Sequence, residues 1–255
     1  LEGVTTLQSM RDADYLRRIA DEKKINKAVV VGGGLIGVET CEALHLAGIN
    51  ITVVEMMPQL LMFLDWEMAK VLENHIKSKA AMVITENPVS EFLGENGKLT
   101  GVKLKNGTEL PCELAVVAVG VRPNASLARE AGLAIGKRGG ITVDTFMQTS
   151  NPDIYAVGDC VEIPNLITGE NVLAPYGDLA NLEGRVAGQN VVLGNRVHFP
   201  GTIQPGVCKV FDYNAGATGL SETRARQAGY DVVSVLTAAP DKPHFMGGKL
   251  LILKM

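Results

Sequence analysis

Three glycines at fixed spacing form the pattern in this sequence that bears most directly on chemistry. Gly32, Gly34 and Gly37 follow a short apolar run and precede a stretch with helical periodicity. A Gly-x-Gly-x-x-Gly loop between a strand and a helix is typical of diphosphate binding. The first glycine allows a sharp turn, the second lets phosphates approach the backbone, and the third lets helix and strand pack closely. The free N–H groups and partial positive charge of the helix N-terminus then favour an anion.

An acidic residue, Glu55, stands 18 residues after Gly37, at the end of the next apolar run. Its carboxylate can accept hydrogen bonds from both hydroxyls of an adenosine ribose. At about 4 Å and an effective dielectric of about 20, it would repel a 2′-phosphate by about 4 kcal/mol per pair of unit charges. Met56 and Met57 follow, with no arginine to neutralise a phosphate. The sequence therefore predicts that the chain binds NADH rather than NADPH.

A second acid, Glu39, lies early in the helix that follows the glycine loop. A carboxylate there can simply favour the helix dipole. It can also lie near the nicotinamide end of a bound dinucleotide, and the sequence leaves both roles open.

Hydrophobic periodicity predicts the elements that must position these residues. A helix is expected over 9–22, then a βαβ unit with a strand over 28–31, a helix from the glycine loop to about 47 and a strand over 51–54. A helix over 66–78 and a meander with strands over 88–93, 99–105 and 109–110 come next, and a buried strand follows over 114–119. Later elements are strands over 154–157, 207–211, 231–236 and 250–253 and helices over 178–192 and 221–228.

Composition excludes several classes of function. The chain has 255 residues, 46% of them hydrophobic and 20% charged, with a formal net charge of -4. No basic tract predicts nucleic-acid binding, and no apolar run approaches the roughly 20 residues of a membrane span. Four separated cysteines without a Cys-x-x-Cys pair argue against a zinc site and fit a reducing cytoplasm. We therefore expect a cytoplasmic protein that holds no metal.

Five motifs, taken in their order along the chain, extend the interpretation that the chain binds a dinucleotide. They are the glycine-loop segment 29–39, Val116–Asn124, Thr149–Cys160, Lys209–Asp212 and Thr218–Glu222. With these motifs the sequence resembles the flavoprotein pyridine nucleotide-disulfide oxidoreductases over essentially its whole length. The resemblance is to the branch that holds NADH oxidases, NADH peroxidases and coenzyme A-disulfide reductases.

The resemblance implies an α/β fold and two cofactors, NAD and FAD. It implies a Rossmann-like three-layer NAD-binding domain with a β-meander, followed by part of an FAD-binding domain and the start of an α+β dimerisation domain. The corresponding segments are 1–25 (linker and helix), 26–144 (NAD), 145–198 (FAD) and 199–255 (dimerisation).

The resemblance also assigns residues to each cofactor. Besides the glycines, Glu39 and Glu55, the NAD contacts it implies are Leu35, Ile36, Phe63 and Gly120. Asp159 matches the aspartate that binds the ribityl hydroxyls of FAD, which agrees with the ability of a carboxylate to accept hydrogen bonds from a polyol. Tyr176, Gly177 and Asp178 match, more loosely, the loop at the pyrimidine edge of the flavin.

Only one glycine loop is found, whereas the family has two. We therefore expect the first FAD half and its redox-active cysteine to lie upstream and the dimerisation domain to be truncated, so that no catalytic residue is assigned here. The parent would be a homodimer that passes hydride from NADH to flavin, and electrons on to a small-molecule thiol or disulfide, peroxide or oxygen. Two alternatives remain open: a catalytically inert NADH-binding module, or a parent reductase for ferredoxin, rubredoxin or nitrite.

Overall fold

A computed structural model describes residues 1–79 and 81–255 of the chain, and within these ranges the contacts divide it into two units. The first unit comprises Leu1–Gly120, Val207–Ala217 and Ser221–Met255. The second comprises Val121–Gly206 and Thr218–Leu220. The four domain segments expected from the sequence rest on the family resemblance and stay a prediction.

The first unit begins with eight strands and three helices. In chain order they are β1 (Val4–Thr5), α1 (Met10–Glu22), β2 (Lys27–Val31), α2 (Leu35–Leu46), β3 (Asn50–Val54), α3 (Trp66–Ser78), β4 (Met82–Ile84), β5 (Val89–Glu95), β6 (Lys98–Leu104), β7 (Glu109–Pro111) and β8 (Leu114–Val117). Most of these match the predicted elements within two residues. The short strands β1 and β4 were not predicted.

A parallel sheet in the order β1-β8-β2-β3-β4 forms the centre of the first unit. Val30 pairs with Val53 on one side and with Val116 on the other. Because every pairing in this sheet is parallel, the carboxyl ends of its strands lie along one edge. The loops that follow β2, β3 and β8 therefore meet at that edge, as in other open α/β sheets.

Alternate residues of β2 belong to different hydrophobic clusters. Val30 packs with residues of α2 and α3, including Cys41 and Ile76. Val29 instead packs with residues of the antiparallel meander β5-β6-β7, including Val102. Both faces of the sheet are covered, which explains why β2 is a continuous apolar run. The α/β class with three layers, helices, sheet and meander, is confirmed.

The second unit contains α4 (Ser126–Glu130), β9 (Ile141–Thr142), β10 (Val161–Pro164), β11 (Asn171–Leu173) and α5 (Gly177–Leu193). Its three strands form one small sheet in the order β11-β10-β9. The strand predicted over 154–157 is wrong, since within this stretch only Tyr155 makes an isolated bridge, to Gln148. Residues 155–157 pack against the core of this unit as irregular chain. An apolar run indicates burial and does not by itself indicate strand pairing.

The remaining elements are β12 (Gly206–Val210), β13 (Tyr213–Ala217), α6 (Glu222–Gln227), β14 (Leu236–Pro240), a short 3₁₀ helix (His244–Met246) and β15 (Leu250–Lys254). Helix α6, which was predicted over 221–228, begins after Ser221, whose side chain accepts a hydrogen bond from the Arg224 amide. The strand predicted over 231–236 is wrong, because pairing with β15 places β14 at 236–240. Strand β13, which pairs with β12, was not predicted. No helix among the residues that the structure describes is long and apolar enough to cross a membrane.

Candidate functional site

The glycine loop lies where β2, β3 and β8 end. The Gly32 amide donates to the Val54 carbonyl at 2.8 Å, and the Ala118 amide donates to the Val31 carbonyl at 2.8 Å. Gly32 has φ +107°, and a Cβ atom at this position would collide with the Ala118 carbonyl oxygen. Only glycine tolerates both conditions, so this residue fixes the turn that leaves β2.

The second glycine, Gly34, is exposed and stands directly before α2 as its N-cap. A Cβ atom built on it would have no heavy atom within 4 Å among the described residues. The first backbone hydrogen bond of the helix runs from Val38 to the Gly34 carbonyl at 3.0 Å. By helix geometry, the amides of residues 35–37 have no carbonyl one turn earlier to bind. The loop thus presents free N–H groups beside open space, as a bound diphosphate requires.

The third glycine, Gly37, is buried and permits the close approach of α2 to β2. A Cβ atom here would collide with the Gly32 carbonyl oxygen and would lie 3.5 Å from Cγ1 of Val30. Gly32 and Gly37 therefore have the turn and packing roles that their spacing predicts, and the role of Gly34 in the approach of phosphates stays a prediction.

The Glu55 carboxylate lies against the glycine loop. Its Oε2 accepts a hydrogen bond from the Gly33 amide at 2.6 Å, and its Oε1 accepts one from the Met57 amide at 2.8 Å. The residue is 9% exposed. A carboxylate has about four acceptor positions, so about two remain for ribose hydroxyls. The contact with Gly33, which the sequence did not predict, holds the loop in place.

The other residues assigned to NAD lie around this loop or on the elements that carry it. Ile36 and Glu39 are exposed on α2. Leu35 and Phe63 are half-buried and pack against the same helix-side cluster. Gly120 follows β8, is exposed and has φ +104°. These positions are compatible with the predicted contacts and do not test them.

Segment 60–64, which contains Phe63, is attached to the glycine loop. The Leu61 amide donates to the Gly33 carbonyl at 2.8 Å. Leu60 is fully buried, and its Cδ2 occupies the space that a Cβ atom on Gly33 would need. A larger residue at Gly33, which is not one of the three motif glycines, would therefore require the Leu60 side chain to shift.

In the second unit, Asp159 is exposed in the turn that follows Gly158. The Gly158 amide donates to Oε2 of Glu183 at 2.6 Å. Glu183 belongs to α5, the helix that begins with Tyr176 as N-cap and has Gly177 and Asp178 in its first turn. The structure thus attaches the Asp159 turn to the helix that carries the other residues assigned to FAD.

No role for Glu183 was predicted from the sequence. It is 1% exposed and lies in a row of buried α5 residues that also contains Leu179, Ala187 and Asn190. The sequence signal is a charged residue at helical spacing within an otherwise buried stripe. Burial, the main cause, and the charge of Asp159 raise its pKa, while the Gly158 hydrogen bond lowers it.

The cysteines are protonated at neutral pH. Burial and the nearby charge of Glu42 raise the pKa of Cys41 to about 12. Burial, with smaller effects of nearby Glu113 and Glu39, raises the pKa of Cys112 and that of Cys208 to about 11. The pKa of Cys160 is also raised, mainly by burial. A thiol is a nucleophile as its thiolate, so none of these residues is activated. No group of three or more metal-ligating side chains is found among the described residues.

Comparison with known proteins gives a consistent result. A family model described as pyridine nucleotide-disulphide oxidoreductase matches residues 1–170. An NADH oxidase from Methanocaldococcus jannaschii is 36% identical over 260 residues, which cover 100% of this chain and 56% of that protein. An NAD(P)H coenzyme A polysulfide/persulfide reductase from Pyrococcus horikoshii is 35% identical over 256 residues, which cover 100% of this chain and 57% of that protein.

Among solved structures, an NAD-dependent persulfide reductase from A. fulgidus superposes with a TM-score of 0.95 at 42% identity. The match covers 99% of this chain and 47% of that one. The chain therefore spans about half the length of the relatives it matches.

Proposed function

Because this chain belongs to the pyridine nucleotide-disulphide oxidoreductase family, we propose that it forms the NADH-binding part of an FAD-dependent NADH:acceptor oxidoreductase. The observation that carries the proposal is the glycine loop. Gly34 leaves the N-terminus of α2 open to solvent, and Glu55 lies beside the loop with its carboxylate on the Gly33 amide. This arrangement suits a diphosphate and an adjoining ribose.

In this proposal the residues of the loop bind and orient the dinucleotide. The free amides at the start of α2 bind the diphosphate, and Glu55 accepts hydrogen bonds from the ribose. The Gly33 and Met57 amides hold the Glu55 carboxylate in one position, which reduces the entropy lost when NADH binds. The same fixed charge disfavours a 2′-phosphate, so NADH is preferred over NADPH.

The residues assigned to the second cofactor also fit it. Asp159 presents a carboxylate at the surface of a turn fixed to α5, as a polyol ligand requires. FAD bound there would supply the transfer of electrons between NADH and the acceptor. Asp159, Tyr176, Gly177 and Asp178 would bind and orient it, and the redox-active cysteine is expected outside this chain.

The names of the relatives support a proposed class of acceptor. One is named an NADH oxidase and others are named for persulfide reduction. We propose a small-molecule acceptor, which is oxygen, peroxide, a disulfide or a persulfide. We also propose a cytoplasmic homodimer, and the segments 1–25, 26–144, 145–198 and 199–255 as its domain organisation.

The substitution Gly34→Ala tests whether the glycine loop binds the diphosphate of NADH. The added methyl group has room in the protein, but it occupies the space through which phosphates approach the loop. We expect an unchanged melting temperature and NADH binding weakened by about tenfold or more, which is about 1.4 kcal/mol. Isothermal titration calorimetry measures the affinity.

Gly188→Ala is the matched control, because a Cβ atom at Gly188 in α5 likewise has no neighbour within 4 Å among the described residues. It should leave NADH binding unchanged. Equal NADH affinity in the two variants would refute the assignment of the loop. An absorbance spectrum of the purified chain shows in addition whether it holds FAD. A chain that binds NADH and holds no FAD would be the inert NADH-binding module.

A further inference from the structure

Glu183 is a buried acid that the function proposed above does not use. It lies on the inner face of α5 between Leu179 and Ala187, and it is 1% exposed. Burying a carboxylate is costly unless hydrogen bonds compensate for the lost water. Its Oε2 accepts such a bond from the Gly158 amide at 2.6 Å. The bond joins residues 25 positions apart in the sequence, so it has a tertiary role.

The turn that receives this bond also lies against α5. Gly158 has φ +84°, in the left-handed region, and its carbonyl accepts a hydrogen bond from the Val161 amide at 3.0 Å. A Cβ atom at Gly158 would lie 3.7 Å from Cβ of Ala180. Ala180 and Glu183 are three residues apart and share one face of α5. The turn therefore rests on the helix at Ala180 and is hydrogen-bonded to it at Glu183.

Asp159 follows the supported glycine directly. Gly158 is held against α5, whereas the Asp159 side chain is exposed. The two carboxylates are close enough for their charges to interact. Since Glu183 is buried and engaged with the backbone, Asp159 is the carboxylate of the pair that is free to meet a ligand.

We propose that Glu183 is a positioning residue that holds the Gly158–Asp159 turn so that the Asp159 carboxylate is presented to the hydroxyl groups of a flavin side chain. The inference rests on the proposed function for the flavin contact. It adds that the contact depends on a buried acid of α5. Glu183 itself does not touch the cofactor in this account.

The test compares Glu183→Ala with the conservative variant Glu183→Gln in the 255-residue chain. The readouts are the hydrogen exchange of the amides of residues 158–161 and the amide NMR signal of Gly158. In Glu183→Ala we expect exchange faster by about tenfold or more, because one charge-assisted hydrogen bond is lost. Glu183→Gln should largely restore protection, since its side-chain oxygen can still accept the bond. The Gly158 amide signal should move in Glu183→Ala and stay near its wild-type position in Glu183→Gln.

Asn190→Ala is the matched control for a structural defect in the same helix. Asn190 is 1% exposed, and its side chain makes four hydrogen bonds with the backbone of Phe146, Arg196 and Val197. Its replacement should lower the stability of the unit and leave the Gly158 signal unchanged. A Gly158 signal that moves equally in Asn190→Ala and Glu183→Ala would overturn the inference, as would unchanged exchange in Glu183→Ala.

FAD titration, followed by flavin fluorescence, adds the functional readout, and it is done on the longer protein that also supplies the other FAD-binding segment expected from the family. We expect Asp159→Ala and Glu183→Ala to weaken FAD binding to a similar degree, and Glu183→Gln to bind nearly as well as the wild type. Loss of affinity in Asp159→Ala with none in Glu183→Ala would overturn the positioning role and leave the flavin contact intact. Unchanged affinity in Asp159→Ala would overturn the flavin contact. The exchange data would then still decide whether Glu183 fixes the turn.

Discussion

Replacing Glu55 with alanine removes a side chain that has two roles. In the structure its carboxylate connects the Gly33 amide, at 2.6 Å, with the Met57 amide, at 2.8 Å. In the proposed function the same carboxylate binds the ribose and repels a 2′-phosphate. The substitution should therefore lower stability, weaken NADH binding and reduce the discrimination against NADPH.

The magnitudes follow from these contacts. Each hydrogen bond to a charged acceptor contributes about 1.5–3 kcal/mol. Met57 is 38% exposed, so water can replace the carboxylate at one of the two amides. We therefore expect a loss of about 2 kcal/mol in the free energy of unfolding. Removing a repulsion of about 4 kcal/mol per charge pair should lower the ratio of the NADPH to the NADH dissociation constant by at least about tenfold.

Calorimetric titration with NADH and NADPH, together with urea unfolding, measures these effects. Glu55→Gln separates charge from loop support, because it is neutral and keeps one oxygen acceptor. It should relax the rejection of NADPH with a smaller loss of stability than Glu55→Ala. Glu162→Ala is a matched control, since Glu162 is also buried and accepts hydrogen bonds from two backbone amides, those of Arg138 and Gly140.

Glu162→Ala should lose stability and keep the wild-type ratio of the two dissociation constants. If the ratio is also unchanged in Glu55→Ala, Glu55 does not contact the ribose, and the assignment of cofactor preference to this residue is refuted. A Glu55→Ala variant as stable as the wild type would instead contradict its role in holding the loop.

Three further predictions concern packing, thiol reactivity and pH. Gly37→Ala should lower the melting temperature, with a cost of about 1–3 kcal/mol, because its methyl group would collide with the Gly32 carbonyl. Cys41 should resist a thiol reagent at pH 8 in the folded protein and react after unfolding, because burial raises its pKa to about 12. Hydrogen bonding to Lys254, the main cause, lowers the pKa of Glu222 from 4.5 to about 2. A carboxylate with a lowered pKa stabilises the folded protein above its unfolded pKa. This contribution to the free energy of unfolding should therefore be lost as the pH falls from 4.5 to about 2. In urea unfolding, Lys254→Met should make the free energy of unfolding depend less on pH over this range.

Each of these predictions has a contradicting outcome. A wild-type melting temperature for Gly37→Ala would mean that α2 and β2 can separate at no cost. Rapid modification of Cys41 in the folded protein would mean that the cluster around it opens readily. An identical pH dependence in the wild type and in Lys254→Met would mean that the ion pair between Lys254 and Glu222, at 2.8 Å, makes no net contribution to stability.

Local patterns in the sequence determined much of the first unit. Helix α3 begins and ends where its periodicity predicts, at Trp66 and Ser78. The glycine loop follows its strand and begins its helix as the spacing requires. These features depend on neighbours within one or two turns of chain, through backbone conformation, capping and the burial of one face, so the sequence alone can specify them.

Tertiary structure decided what joins distant parts of the chain. The contact between Glu55 and Gly33 spans 22 residues, and the contact between Glu183 and Gly158 spans 25. Likewise, pairing with β15 placed β14 at 236–240, although the sequence favoured 231–236. A strand needs a partner, and a buried acid needs a donor. Both are supplied by segments that the local pattern does not identify, so the roles of these carboxylates emerge only when the chain is folded.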